Sequence, residues 1–187
     1  MGSIKKELLS GVFYTAIAKY SGILISLIIT GVLARLISPD KFGIVAVVTV
    51  ITFFFSIFSD LGIGAAIIQN KELQQKDLNQ LFSFTVWSGC ILTLLFFLCS
   101  WPISFFYKEP GMKTITQLLA INLFFASANI VPNALLYKAK AFKFLAWRSL
   151  GVQVSGGIIA ILAALGGAGL YALIINPILS SILLFII

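Results

Sequence analysis

Six stretches of this sequence are apolar over lengths that allow a helix to cross a lipid bilayer. A transmembrane helix needs about 20 mainly apolar residues, and in lipid only helices and closed barrels satisfy every backbone hydrogen bond. The sequence therefore predicts an all-α integral membrane protein, built as a single lobe of six transmembrane helices. The predicted spans are residues 12–37, 42–68, 78–106, 114–137, 148–165 and 168–187.

The composition supports a membrane protein and argues against other classes. Of the 187 residues, 60% are hydrophobic and 10% are charged, whereas soluble domains average about 25% charged residues. The net charge of +7 does not indicate nucleic-acid binding, because the basic residues lie in short segments between the apolar spans. This distribution is typical of a membrane protein with basic cytoplasmic loops. We expect membrane lipids around the chain and no nucleic-acid partner.

The basic residues also predict the orientation of the chain, since cytoplasmic loops carry the excess of Lys and Arg. The excess falls on the side of the N-terminus, so we expect a multi-pass protein whose N-terminus is cytoplasmic. The inner segments would hold Lys5, Lys6, Lys71, Lys76, Lys138, Lys140, Lys143 and Arg148, and the outer segments Arg35, Lys41, Lys108 and Lys113.

Polar side chains recur on one face of several predicted helices. In the fourth span, Asn122, Asn129 and Asn133 are spaced by seven and four residues, which stacks them along one stripe. Such seams either form hydrogen bonds between packed helices, each worth about 0.6 kcal/mol, or line a hydrated cavity, and we favour the cavity. The candidate cavity residues are Thr15, Lys19, Ser26, Ser56, Asp60, Asn122, Asn129, Asn133, Gln153 and Asn176.

Lys19 and Asp60 are charged residues placed well inside predicted spans. Because a helix rises 1.5 Å per residue, both would lie at a similar depth on the cytoplasmic side of neighbouring antiparallel spans. An unpaired charge at that depth is costly, so the sequence predicts a Lys19–Asp60 ion pair. Whether such a pair serves transport or only fixes helix packing stays open.

Local signals predict where several spans begin and bend. Ser38 is a favourable N-cap, followed by Pro39 at the first helical position and Asp40 near the positive end of the helix dipole. Pro132 and Pro177 are expected to interrupt the fourth and sixth spans. The turn "GGAG" at residues 166–169 is so short that the fifth and sixth spans should form a tight hairpin.

The segment "YKAKAFKFLAWR" at residues 137–148 mixes cations with aromatic residues. We expect a cytoplasmic loop at the lipid headgroups, attracted to anionic lipid by about 1 kcal/mol per cation. Simple anchoring of the loop is the favoured interpretation. Alternatively, its cations first meet the anionic head of a lipid-linked substrate. The four cations are Lys138, Lys140, Lys143 and Arg148.

The sequence offers little to support catalysis. It contains no histidine, no pair of carboxylates within the spans, and no nucleophile motif or phosphate-binding glycine loop. Cys90 and Cys99 share one apolar stretch and lack the spacing of metal ligands. We therefore expect no enzyme activity, no metal and no cofactor.

Three segments resemble a known family of membrane transporters. They are "GVLARLISPDKFG", "FFSIFSDLGIGAAIIQNKELQQKDLNQLF" and "IVPNALLYKAKAFKFLAW". They look like the N-terminal half of bacterial polysaccharide-export flippases, the Wzx-like members of the MOP (multidrug/oligosaccharidyl-lipid/polysaccharide) exporter superfamily. The resemblance runs from about Gly11 to the last residue.

The resemblance implies a function and an architecture. Such proteins have two facing six-helix lobes in a MATE-like arrangement. They move undecaprenyl-diphosphate-linked oligosaccharide across the bacterial inner membrane by alternating access, for polysaccharide or lipopolysaccharide biosynthesis. Cations in their cavity are thought to engage the anionic substrate, and Lys19 best suits that role here.

This chain supplies one lobe, and its last apolar run ends abruptly, so we expect a truncated chain or a partner lobe. The alternatives are a cation-coupled multidrug exporter or a lipid II flippase of the same superfamily, and a non-transporting half-length module.

Overall fold

The chain folds into helices joined by short turns. The computed structural model describes residues 2–70 and 72–187, with side chains for Gly11 and from Phe13 onward. Lys5, Lys6 and Lys71, which enter the predicted orientation, lie outside the described side chains. The helices are α1 (Gly2–Leu36), α2 (Pro39–Asp60), α3 (Ile63–Gln69), α4 (Gln75–Tyr107), α5 (Pro110–Ala128), α6 (Ile130–Lys138), α7 (Phe142–Leu165) and α8 (Ala172–Ile186), with a 3₁₀ turn at Gly169–Tyr171.

Within the described residues, six helical spans are long and apolar enough to cross a membrane, and the predicted all-α class is confirmed. The start of α2 also follows the prediction: Ser38 is extended at the N-cap position, and Pro39 opens the helix. The Ser38 hydroxyl, however, makes no capping hydrogen bond.

The second predicted span, residues 42–68, is two helices rather than one. α2 ends at Asp60, because Leu61 (φ 42°) and Gly62 (φ 79°) are both left-handed. Gly62 adopts this conformation without a steric penalty. α3 then begins at Ile63, and its exposed N-terminal amides receive the Asp60 carboxylate: Gly64 N donates to Asp60 Oδ1 at 3.3 Å.

The fourth predicted span is also divided, as its proline predicts. Asn129 separates α5 from α6, and Pro132 has no N–H to donate to the carbonyl one turn earlier. The prediction for Pro177 is wrong, since α8 runs through it as one helix. The fifth span begins earlier than expected, at Phe142, which places Lys143 and Arg148 inside α7.

The helices pack in a chain of neighbours rather than in a closed ring. α7 lies between α1 and α8, α8 packs on α5, and α5 also packs on α4 and α2. Two glycines let α7 approach both of its neighbours. A Cβ on Gly156 would lie 2.5 Å from Asn176 Oδ1 of α8, and one on Gly157 would overlap the Ile29 side chain of α1. The predicted tight hairpin of α7 and α8 is confirmed.

Three apolar clusters form the interior. One joins α2, α4, α5 and α8 around Phe96 and Leu123, and a second joins α1, α7 and α8 around Ile29 and Ala160. The third is small and packs α3 on α6 around Ile67. Many large apolar side chains instead point outward, which suits a surface covered by lipid.

Candidate functional site

Polar side chains from four helices gather along two adjoining clefts on one face of the lobe. The clefts share Pro177 of α8, and we call them together the polar groove. Four of the predicted cavity residues therefore come together in the groove: Ser26, Ser56, Asn122 and Asn176. The polar residues that line the groove are Ser26, Thr30, Thr49, Thr52, Ser56, Asn122 and Asn176.

The first cleft of the groove lies between α1, α2 and α8 and has a volume of about 240 Å³. Ser26 and Thr30 line it from α1, and Asn176 lines it from α8. The Asn176 Oδ1 atom accepts a hydrogen bond from Ser180 at 3.2 Å, which helps to orient the amide. No charged side chain lines this cleft, so it offers hydrogen bonds without a net charge.

The second cleft lies between α2, α5 and α8 and has a volume of about 260 Å³. Asn122 of α5 faces Thr49 and Ser56 of α2 across it. The hydroxyl of Ser56 already donates to Phe53 O at 2.7 Å. The Asn122 amide makes no hydrogen bond to the described residues, so it is available to a solute in the cleft.

A third opening, the Arg148 cleft, lies between α1, α6, α7 and α8 and has a volume of about 210 Å³. Its polar lining comes from Thr15, Asn133, Tyr137, Arg148 and Ser149. Thr15 reaches it from α1, although its hydroxyl is bonded to Gly11 O at 2.8 Å. This cleft therefore gathers candidate residues from the first and fourth predicted spans around one cation.

Arg148 is only 7% exposed, which is unusual for a cation. Its Nη2 donates to Asn133 Oδ1 at 2.9 Å and to the backbone oxygen of Leu184 at 2.8 Å. Its Nε is buried and has no partner. No carboxylate lines the cleft. A buried, uncompensated guanidinium favours an anion, and its planar donors match phosphate oxygens.

The prediction that residues 137–148 form a loop ending at Arg148 is wrong, because α7 begins at Phe142 and Arg148 is buried within it. The loop itself is a short turn in which Lys140 is left-handed, at φ 56°. Lys143 is exposed on the first turn of α7. Lys138 ends α6 and donates from Nζ to Asn70 O at 2.7 Å, which ties α6 to the end of α3.

The predicted Lys19–Asp60 ion pair does not form in this structure. α1 packs mainly along α7 and meets α2 only across the first cleft of the groove, which Ser26 and Thr30 line, not Lys19. The Asp60 carboxylate instead accepts the amide of Gly64. Lys19 is exposed on the face of α1 that carries Thr15 and Ser26, each of which lines a cleft.

The three stacked asparagines do not share one cavity, since the bend at Asn129 divides their stripe. Asn122 lines the groove and Asn133 binds Arg148. Asn129 is buried, and its Nδ2 donates to Phe125 O and to Ser181 O, both at 3.0 Å. Gln153 serves helix packing, because its Nε2 donates to Gly22 O of α1 at 2.9 Å.

Comparison with known proteins identifies the family. A family model described as a polysaccharide biosynthesis protein matches residues 32–187, which is most of the chain. The chain belongs to this family. The matched region includes α2, α5 and α8 of the polar groove and begins after Ser26 and Thr30, the polar groove residues of α1.

Curated relatives carry related names. The lipopolysaccharide biosynthesis protein WzxC of Escherichia coli is 27% identical over 84% of this chain and 31% of its own length. The teichuronic acid biosynthesis protein TuaB of Bacillus subtilis is 28% identical over 65% of this chain and 25% of its own. The succinoglycan biosynthesis transport protein ExoT of Rhizobium meliloti is 22% identical over 81% of this chain and 31% of its own length.

The chain thus spans between a quarter and a third of the length of these relatives. No solved structure matches it. The resemblance to Wzx-like flippases is confirmed by the family and by these relatives.

Proposed function

We propose that this chain is one lobe of a flippase that moves a lipid-linked oligosaccharide across the bacterial plasma membrane by alternating access. The observation that carries the proposal is the polar groove: hydrogen-bonding side chains from four helices converge on one face of an otherwise apolar lobe. The family and the names of the relatives support a role in polysaccharide synthesis and transport.

The groove suits the chemistry of such a substrate. Sugar hydroxyls need hydrogen-bonding partners inside the membrane, and Asn122 and Asn176 each offer an amide there. The lipid tail of the substrate can stay in the bilayer, next to the apolar outer surface. An anionic diphosphate head needs a cation. Arg148 supplies one in the Arg148 cleft, and Lys19 supplies another on α1, next to Ala18 of that cleft.

A second lobe completes the path in this proposal. The groove is open along one side, and the chain covers only part of the length of its relatives. A facing lobe would enclose the groove between two polar walls, and rocking of the lobes would expose it to each side in turn. We propose a cytoplasmic N-terminus, which follows from the distribution of Lys and Arg.

The drug-exporter alternative receives less support from the structure. A cation-coupled exporter needs an intramembrane carboxylate that can bind and release an ion. Asp60 is the candidate, but its carboxylate is engaged by the Gly64 amide and lines none of the three clefts described above. A lipid II flippase would need the same headgroup chemistry. Identifying the sugars on the precursor that accumulates would distinguish it from an oligosaccharide flippase.

The proposal is tested by removing the gene and measuring lipid-linked oligosaccharide in the cytoplasmic leaflet. We expect the precursor to accumulate and the exported polysaccharide to fall. The native gene should restore export, whereas a variant with Asn122→Leu and Asn176→Leu should restore it at least tenfold less well. The matched control is Phe54→Leu, which changes an outward-facing side chain that is 57% exposed. Export that is unaffected by loss of the gene would refute the proposal.

A further inference from the structure

The first cleft of the polar groove is small, and none of the described residues that line it is charged. Its volume of about 240 Å³ is below the roughly 300–1,000 Å³ of sites that take drug-sized ligands, so it suits one sugar ring rather than a whole oligosaccharide. α8 supplies this cleft with two different hydrogen-bonding groups, a side-chain donor and a backbone acceptor.

The donor is the side-chain nitrogen of Asn176. Its Oδ1 is turned toward α7, where it accepts from the Ser180 hydroxyl at 3.2 Å. Oxygen suits that place, because it can also contact the Cα–H of Gly156 beside it. Among the described residues, Asn176 Nδ2 has no hydrogen-bond partner, yet it is not buried. Since Asn176 lines the cleft, its two N–H donors are open to a solute there.

Gly156 makes this orientation of the amide possible. It is buried in α7, and a Cβ there would lie 2.5 Å from Asn176 Oδ1 and 3.5 Å from Ser180 Oγ. A single methyl group would therefore displace the amide oxygen and disturb its hydrogen bond. Gly156 acts on the cleft through Asn176, as a positioning residue.

The acceptor is the backbone carbonyl of Leu173. The carbonyl of a helical residue accepts from the N–H four residues later, which here belongs to Pro177. Proline has no N–H, so Leu173 O lacks its usual donor although α8 is continuous. No side chain of the described residues donates to it. Leu173 and Pro177 both line the first cleft, and the carbonyl lies between them on that face of the helix.

The donor and the acceptor lie side by side, because residues three apart share one side of a helix. Two hydroxyls on adjacent carbons of a sugar match such a pair. One hydroxyl oxygen can accept from Asn176 Nδ2 while its neighbour donates to Leu173 O. Phe42 also lines the cleft, and its ring offers an apolar surface to the C–H groups of a sugar.

We propose that the first cleft is a single-sugar site, in which Asn176 Nδ2 and the Leu173 carbonyl hold two adjacent hydroxyls of one ring. The site rests on the proposed function, since it assigns the part of the groove that recognises the glycan. It narrows the substrate class to glycans with at least one ring whose adjacent hydroxyls are unsubstituted.

The test is saturation-transfer NMR on the full chain in phosphatidylcholine nanodiscs, with empty nanodiscs as the blank. The probes are the methyl glycosides of glucose, galactose and mannose, which present adjacent hydroxyls in different orientations. Each is compared with its 3-deoxy analogue, in which no two adjacent ring carbons both carry a hydroxyl. We expect at least one glycoside to bind and its 3-deoxy analogue to bind at least threefold more weakly.

Pro177→Ala gives the sharpest comparison, because alanine restores the N–H that Leu173 O lacks. We expect this variant to bind the glycoside at least threefold more weakly. Its unfolding temperature should be unchanged or higher, since alanine favours a helix. A proline that serves only the structure of α8 would leave glycoside binding as it is in the native chain.

Gly156→Ala and Asn176→Ala should each weaken glycoside binding at least threefold. In an Asn176→Ala background, Gly156→Ala should cause no further loss, because the group that it displaces is already gone. Gly151→Ala is the matched control on α7, since its Cβ would meet nothing within 4 Å, and it should leave binding unchanged.

Two results would overturn this site, and they differ in what they say about transport. A glycoside that binds equally well after Pro177→Ala and Asn176→Ala lies elsewhere in the groove, which removes the site and leaves the proposed flippase standing. Glycosides that bind no better than to empty nanodiscs remove the sugar site altogether, while precursor accumulation in cells that lack the gene still decides the flippase itself.

Discussion

At the residue scale, the acid that lies inside the second predicted span has a local explanation. Asp60 ends α2, and its carboxylate accepts the Gly64 amide at the start of α3. The first amides of a helix lack backbone acceptors, and a negative charge near them is favourable. Asp60 therefore compensates for the break that Leu61 and Gly62 introduce, and it needs no lysine partner.

We expect Asp60→Ala to lower the free energy of unfolding by about 0.5–2 kcal/mol, the usual cost of losing a capping side chain. Asp60→Asn should cost less, because its amide oxygen still accepts from Gly64. The measurement is thermal unfolding in detergent. In a double-mutant cycle, Lys19→Ala and Asp60→Ala should be additive within about 0.5 kcal/mol. A larger coupling energy would show that the two charges interact after all.

At the scale of elements, two helix breaks and several close helix contacts shape the lobe. Pro132 indicated one break in the sequence, because proline removes a specific hydrogen bond. The break at Gly62 carried a weaker signal, since a glycine inside an apolar run is also common in unbroken transmembrane helices. Pro177 shows the reverse case, in which a proline stays inside a continuous helix.

Gly89 is a contact between helices that a single methyl group should disrupt. A Cβ at this position would lie 2.7 Å from Ser127 Cβ, an atom that cannot move without its backbone. We expect Gly89→Ala to destabilise the protein by about 1–3 kcal/mol, the usual cost of overpacking, with a lower unfolding temperature. Gly151→Ala is the matched control, since its Cβ would meet nothing within 4 Å. Equal stability of the two variants would contradict the close approach of α4 and α5.

At the scale of the whole molecule, hydropathy was enough to predict the six spans and the helical class. The polar seams were also visible, because residues seven or four apart share a helix face. The sequence could not show which seams face each other, because that depends on which helices pack together. α1 packs mainly on α7, and Lys19 and Asp60 form no ion pair. The role of Arg148 was missed because the sequence placed the start of its helix too late.

The proposed function requires the polar groove to be a hydrated path while the outward-facing side chains meet lipid. Single cysteines, in a chain with Cys90 and Cys99 replaced by serine, test it in native membrane vesicles with a membrane-impermeant maleimide. Thiols react as thiolates, which form in water and not in lipid. The groove positions are Ser26, Thr49 and Asn122, and the outward-facing controls are Leu24 and Phe54.

We predict labelling at least ten times faster at the groove positions than at the controls. Equal rates, or faster labelling at Leu24 and Phe54, would contradict a hydrated groove and with it the proposed path for the substrate.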